Sequence, residues 1–355
     1  MVIGRVVERF GLGRLSGKPV AVSGGLSNEL WRVRTENGEF AVKRMIVNAR
    51  EPRFVANVEA AFLIEQRAWN AGVPMPEPIA EPGSGRALIR AEGDSEHDSA
   101  GDSEDVVKGG LFRVHRWVDG RAGAGDPDQA AELLATIHAA GRPRWEATRA
   151  DVTRADVTRA DITRADVTGA DVQAPLTKAH LDGDGPITLH LVHTTRADAT
   201  RQDEATPRDP DLVDLVRRVS RGPDRMLVVD SHQDLDRKNT LLRSDGTLLA
   251  LDWDAAGPIG AVPEAVGLAL DWADGDRDAF VRAVTAYRRR SRIRVEAQPW
   301  IFGAWVDAAV GWLDYNTLHR AGEDLGRAEI AATTTRLNAL ARDLDSWLDA
   351  LAGSA

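Results

Sequence analysis

The 355-residue chain contains no cysteine. A disulfide framework, a cysteine nucleophile, a thiolate zinc site and a cysteine-ligated iron–sulfur cluster are therefore excluded. An excess of positive charge is also lacking. The 45 Lys and Arg residues against 55 Asp and Glu give a formal charge of −10, which is the opposite of the basic footprint that broad nucleic-acid binding needs. It is compatible with attracting a cationic substrate. No run of about 18 apolar residues occurs, so no spanning helix and no membrane partner are expected. The opening stretch MVIGRVVERFGLGRL has charges among its apolar residues and no signal-peptide core. A cytoplasmic location is the expectation. What is present is enough apolar material for a core, at 43% of residues, and enough length for two domains or two lobes.

Periodicity divides the chain. Val2, Ile3, Val6, Val7 and Phe10 recur at helical spacing and predict a short amphipathic helix. Residues 19–22, 30–35 and 40–45 read as strands. Between the last two, Glu36-Asn37-Gly38-Glu39 is a tight turn whose Asn-Gly pair is expected to supply positive φ. Residues 54–71 carry Val55, Val58, Ala61, Phe62 and Trp69 on a helical stripe. Gly72 ends it, and Pro74, Pro76 and Pro78 force an extended exit. Residues 87–90 and 111–118 form a further strand pair, and 127–140 a helix. Beyond 211 the pattern gives a short helix at 211–220, a strand at 226–229, a hairpin at 240–251 around Ser244-Asp245-Gly246, and helices through 263–352 filled by Trp272, Trp300, Trp305, Trp312 and Trp347. Strands come early and helices late, which is an α+β layout in two lobes. The predicted boundary lies between 1–118 and 119–355.

Two segments break the pattern. Residues 91–109, AEGDSEHDSAGDSEDVVKG, are acidic and poor in apolar side chains, as a mobile loop would be. Within 142–208 lies a five-residue repeat, TRADV and its variants, covering 150–172. A helix turns about 100° per residue, so a five-residue period makes no apolar stripe. In an ordinary strand an odd period puts successive valines on opposite faces. The repeat resembles the pentapeptide units of β-helices, but it has too few copies to bury an inner face. The expectation is a mobile insertion. His190 and His193 fall inside it without a third ligand nearby.

The chemistry concentrates in VVDSHQDLDRKN (228–239) followed by LALDWD (249–254). An apolar strand leads into His232-x-Asp234-x-x-x-x-Asn239, and a second apolar strand ends on Asp252-Trp253-Asp254. Folding 240–243 against 247–250 and continuing the register outward sets Asn239 opposite Leu251, next to Asp252. Two oxygen ligands thereby converge, which is the protein share that Mg²⁺ asks for alongside phosphate oxygens and water. Asp234 sits close enough to orient a nucleophile.

That spacing is the catalytic loop and metal aspartate of kinase-type phosphoryl transfer. With Asp-Trp-Asp in place of D-F-G, the sequence resembles the aminoglycoside phosphotransferase and choline kinase branch of the protein-kinase-like fold. The resemblance implies a small β-rich N-terminal lobe and a larger helical lobe, ATP or GTP as donor, and Mg²⁺. It implies Asp234 as the catalytic base or positioning aspartate, Asn239 and Asp252 as Mg²⁺ ligands, and His232 as a brace for the loop. Asp254 takes a structural or a catalytic role. Phe40-Ala41-Val42-Lys43 resembles the V-A-I-K strand, with Lys43 reaching the α- and β-phosphates. The Gly-rich Ser23–Asn28 turn before it offers Ser27 to phosphate oxygens. Lys43 needs an anion to hold it. Glu59 and Glu65 of the 54–71 helix point in different directions, and Glu59, which heads the apolar stripe, is the expected partner. The backbone around His115 to Trp117 is expected to serve as the adenine-binding hinge. Glu264 and Asp271 are expected to bind amines of the acceptor.

These readings imply transfer of a γ-phosphate to a hydroxyl of a small cationic molecule, first an aminoglycoside-type antibiotic. Kinases for choline, amino acids or sugars are the nearest alternatives. A protein kinase is disfavoured, because only seven residues separate Asp254 from Val262-Pro263-Glu264, too few for an activation segment. A non-catalytic binding module working through the repeat is the alternative of a different class. No protein partner is implied.

Overall fold

The computed structural model describes residues 2–22, 28–46, 49, 53–92, 109–148 and 210–353. Ser27 with its Gly-rich turn, most of the acidic 91–109 segment, the five-residue repeat and the His190–His193 pair lie outside the described residues.

In chain order the first elements are α1 (Val2–Arg9), β1 (Val20–Val22), β2 (Asn28–Thr35), β3 (Gly38–Met45), α2 (Phe54–Asn70), β4 (Pro78–Ile79), β5 (Ile89–Ala91), β6 (Gly110–Arg116) and β7 (Arg121–Ala122). Then come α3 (Pro127–Ala140), β8 (Arg144–Ala147), α4 (Pro210–Val219), β9 (Arg225–Ser231), β10 (Thr240–Leu242), β11 (Leu248–Ala250) and β12 (Gly257–Gly260). Four helices follow, α5 (Ala261–Ala273), α6 (Arg277–Ser291), α7 (Gly303–His319) and α8 (Asp324–Ala352). None of the described helices is long and apolar enough to cross a membrane.

The chain forms two compact units. The first comprises 1–125 together with 232–257. Its main sheet runs β1-β2-β3-β6-β4, with β5 also paired to β6, and each pairing is antiparallel. Strand alternation gives the sheet two different faces. Val33, Phe40, Val42, Phe112 and Val114 pack against Val2, Ile3, Val6 and Val7 of α1. Met45 and Leu111 face the other way, onto Val58 and Phe62 of α2. Residues on that second face, Lys43, Arg113 and His115, therefore look toward α2. The β2–β3 turn differs in one detail from its reading. Gly38 has φ +123°, whereas Asn37 is not among the positive-φ residues. Glycine alone supplies the left-handed step, and a Cβ there would also strike the Arg116 guanidinium.

A second small sheet, β11-β10-β7, belongs to the same unit. The Ala250 amide donates to the Pro74 carbonyl (3.0 Å), and Pro74 lies in the extended exit from α2. The boundary predicted at 118/119 is thus corrected. Residues 232–257, assigned from sequence to the helical half, pair with 121–122 and bond to 74, and they fold with 1–125.

The second unit holds 126–148, 210–231 and 258–355 among its parts. Asp126 caps α3 with a full capping box to Gln129, which satisfies amides the first turn leaves free. Helices α3, α5 and α6 pack together, and α7 and α8 form an adjoining pair. Trp272, Trp305 and Trp347 are buried as expected. Gly141 ends α3 where a Cβ would collide with the Asp230 carbonyl, so glycine lets β9 lie against the helix end. The expected insertion, 142–208, includes residues that belong to a sheet. Residues 144–147 are strand β8, paired with β9 from Arg144↔Val228 to Ala147↔Arg225.

Candidate active site

The loop after β9 is built from the inside outward. His232 is fully buried. Its Nε2 lies 2.7 Å from the Leu251 carbonyl, and its Nδ1 accepts from the Asp234 amide (3.3 Å). One nitrogen donates and the other accepts, so these partners assign a neutral ring protonated at Nε2. Trp253 covers the ring edge-on, with centroids 4.8 Å apart. The imidazole thus ties the 232–239 segment to the strand that ends on Asp252.

Asp236 caps the following 3₁₀ turn by accepting from the Asn239 amide (3.1 Å). The turn delivers Asn239 beside Asp234. Nδ2 of Asn239 donates to the Asp234 carboxylate Oδ2 and to the Asp234 carbonyl, both at 2.8 Å. The register expected from sequence holds: Thr240 pairs Ala250, and the Leu251 amide donates to the Asn239 carbonyl (2.8 Å). Burial raises the Asp234 pKa above the ordinary aspartate value. Lys238 opposes this, and the negative charges of Asp236 and Asp252 add to it.

Asp252 follows in a left-handed conformation (φ 59°, ψ 69°). An aspartate held there costs about 1–3 kcal/mol, a kind of strain that clusters at functional sites. Lys43 Nζ reaches Asp252 Oδ1 at 2.7 Å and Asp254 Oδ2 at 2.6 Å. Its side chain is only 13% exposed. Burial works against the ammonium, but the two carboxylates outweigh it and the Lys43 pKa is raised.

Behind Lys43 lies a buried chain of charge that was not anticipated. Arg113 of β6 bonds Asp254 Oδ1 through Nη1 and Glu65 Oε2 through Nη2. Glu65 Oε1 meets His115 Nε2 at 2.8 Å. Glu65 and Arg113 are almost wholly buried. Burial opposes their charges, yet each is kept ionised by its partner: Glu65 is held below the usual carboxylate range by Arg113 and then His115. Asp254 is likewise held well below it, because Lys43 and Arg113 outweigh its burial. The sequence carried a signal for Glu65. It sits among Val58, Ala61, Phe62 and Ala68 on the buried stripe of α2, where a charge requires a partner.

One expectation is corrected, and four other candidates meet partners already in place. Glu59 does not hold Lys43. It accepts from the Ala87 amide (3.0 Å) and the Leu88 amide (3.1 Å), and pairs with Arg86. The hinge assignment to His115 and Trp117 meets amides already in use. The Arg116 amide donates to the Glu77 carbonyl and the Trp117 amide to the Glu39 carbonyl, both at 2.9 Å. The His115 ring belongs to the Glu65 pair, and the Trp117 indole donates to Asp119 (2.8 Å). In the second unit, Glu264 is half-buried and already engaged. It accepts from Ser231 Oγ (2.9 Å) and pairs with His138 Nε2 (2.8 Å), whose Nδ1 meets Tyr287. Asp271 accepts from Trp305 Nε1 (2.8 Å) and pairs with Arg336, so its charge is already matched.

The donor set suits a hard dication. Among the described residues no three His, Asp or Glu side chains gather into a ready-made cage. Asn239 has both amide hydrogens committed to Asp234, which leaves its carbonyl oxygen as the ligating atom. Asp252 is 39% exposed. One carboxylate and one carbonyl oxygen are what Mg²⁺ takes from a protein when phosphates and water complete its shell.

An antiparallel sheet with a lysine on its third strand, then an H-x-D-x-x-x-x-N loop, a hairpin and a closing aspartate, is the build of the protein-kinase-like phosphotransferases. The chain belongs to the phosphotransferase enzyme family APH, whose model matches residues 19–300. Similar solved structures include spectinomycin phosphotransferase APH(9)-Ia in complex with ADP and spectinomycin, at 10% identity and TM-score 0.52, covering 99% of this chain and 97% of that one. A thermostable mutant of aminoglycoside phosphotransferase APH(4)-Ia, in ternary complex with ADP and hygromycin B, is similar at 14% identity and TM-score 0.51, covering 96% and 98%. Choline kinase LicA from Streptococcus pneumoniae aligns at 12% identity and TM-score 0.49, covering 95% and 98%. No curated protein matches the chain by sequence.

Proposed function

We propose that this protein moves the γ-phosphoryl group of ATP or GTP to a hydroxyl of a small cationic acceptor, with aminoglycoside-type antibiotics as the first candidates. The observation that carries the reading is the convergence of Lys43 with Asp252, 209 residues apart in sequence and 2.7 Å apart in space, in the unit that also sets Asp234 against Asn239. Lys43 has a third N–H beyond those given to Asp252 and Asp254, and that donor is free to meet a phosphate oxygen. Asn239 fixes the rotamer of Asp234, whose carboxylate then orients the acceptor hydroxyl and takes its proton. Asn239 and Asp252 would hold Mg²⁺, which when bound offsets phosphate charge. Catalysis of this kind is mostly positioning and charge stabilisation.

The cationic acceptor is supported by the formal charge of −10 and by the spectinomycin and hygromycin B bound to two proteins of the same fold. Choline, amino-acid and sugar kinases share the fold and remain the alternatives. The test is nucleoside diphosphate release with ATP and with GTP, with and without Mg²⁺, across aminoglycosides, other cationic antibiotics, choline, amino acids and sugars. Mg²⁺-dependent turnover stimulated by an aminoglycoside is the expected result. Turnover confined to choline or a sugar would replace the acceptor assignment, and no nucleotide consumption with any of them would overturn the reading.

A further inference from the structure

We propose that Arg113 is a positioning residue for Lys43, acting through Asp254 and anchored on α2 by Glu65. The inference rests on the reading of Lys43 as a ligand of the nucleotide's phosphates. Lys43 and Arg113 are register partners on neighbouring antiparallel strands. Their side chains leave the same face of the sheet, and like charges directly opposite each other repel. Consistent with that, Arg113 works to lower the Lys43 pKa. Asp254 resolves the conflict by giving one oxygen to each cation, Oδ1 to Arg113 and Oδ2 to Lys43.

Asp254 is therefore clamped from behind. Arg113 in turn is held by Glu65, at a position where α2 is fully buried. The helix glutamate reaches the strand lysine not by direct contact but along Glu65–Arg113–Asp254–Lys43. Arginine suits the middle of such a chain, because its planar fork can serve two carboxylates at once while an ammonium acts as a point charge. The Nε of Arg113 is buried without a hydrogen-bond partner among the described residues. The guanidinium thus forgoes one of its bonds to keep both Nη atoms on the carboxylates. The consequence is directional: the Lys43 ammonium is aimed by Asp252 on one side and by an Asp254 that cannot rotate on the other.

Titration calorimetry with a non-hydrolysable ATP analogue and Mg²⁺, in the absence of acceptor, tests this. Arg113→Met should weaken nucleotide binding about tenfold, and Arg113→Lys by less, because the ammonium restores charge without the fork. The decisive comparison is a cycle with Lys43→Gln. If Arg113 acts through Lys43, then Arg113→Met in the Lys43→Gln background should change the Kd by less than about twofold. A merely structural arginine would add its full loss in both backgrounds, and that result overturns the proposal, as would wild-type affinity in both Arg113 variants. If Arg113→Met does not fold, the same cycle is run with Arg113→Lys. A wild-type protein that binds no nucleotide overturns the phosphotransferase reading and this inference with it, an outcome distinct from wild-type binding that is indifferent to Arg113.

Discussion

At the scale of single residues, spacing revealed part of the site and burial held the rest. Asp234, Asn239 and Asp252 were legible because a short hairpin converts sequence separation into register, and the Leu251-to-Asn239 bond (2.8 Å) follows that register. Lys43 was legible through the likeness of Phe40-Ala41-Val42-Lys43 to the V-A-I-K strand, not from its charge alone. Glu65 was named beside Glu59 and passed over, and Arg113 was missed, for a physical reason: pairing between sequence-distant ions is decided by which faces meet. The raised pKa of Asp234 gives a first prediction. Proton acceptance requires the ionised carboxylate, so activity should fall as pH drops through its folded-state pKa, which lies above the ordinary aspartate value of about 3.9. A pH–kcat profile of the wild type should show this acid limb. Asp234→Asn should lower kcat by about 10²–10⁴-fold while the nucleotide Kd stays near wild type. Unchanged turnover would remove Asp234 from its role.

At the scale of elements, α2 carries two glutamates whose duties the structure separates. Glu65 faces the sheet and belongs to the ion chain, whereas Glu59 pins 86–88 through two backbone amides. The helix itself was plain from its stripe. The preference for Glu59 failed because heading the stripe is not the same as lying on its buried side. Glu59→Ala should therefore cost stability with little effect on nucleotide use. A carboxylate accepting two amide bonds contributes about 1.5–3 kcal/mol, enough to lower Tm by several degrees. Scanning calorimetry beside nucleotide KM would check it, and a large rise in KM without a change in Tm would return Glu59 to the site. The same comparison on Glu65→Gln should move both readouts at neutral pH, since it loosens the anchor of Arg113 and takes a buried charge from beside its guanidinium. Its acid behaviour follows by linkage. Glu65 is depressed in the folded state, so its stabilisation is present above the ordinary glutamate value of about 4.3 and is lost as pH falls through the lower folded value. The variant should lack that component, and its Tm should depend less steeply on pH below about 4.3.

At the scale of the whole molecule, the early-sheet, late-helix order was legible, but the boundary was not. Residues 232–257 group with the first unit through the Ala250 amide on the Pro74 carbonyl and through Lys43 on Asp252 and Asp254, contacts between sequence-distant residues that composition does not announce. The repeat-bearing segment bears on function in a way that can be settled directly. The side chains of the ion chain and of the Asp234–Asn239 pair lie in 43–115 and 234–254, and the strand that leads to them, β9, is flanked by β8. A deletion of 150–207 keeps β8 and its four pairs with β9, together with the Thr148 amide bond to the Asp224 carbonyl (2.8 Å). It should preserve Tm and phosphotransfer. A deletion starting at 142 removes β8, leaves the β9 edge unpaired, and should lower Tm and activity together. If the shorter deletion abolishes turnover while nucleotide binding survives, the segment takes part in acceptor handling. If turnover survives but an independently identified partner no longer binds, the binding-module reading gains the segment as its working part, on a scaffold that is still an enzyme.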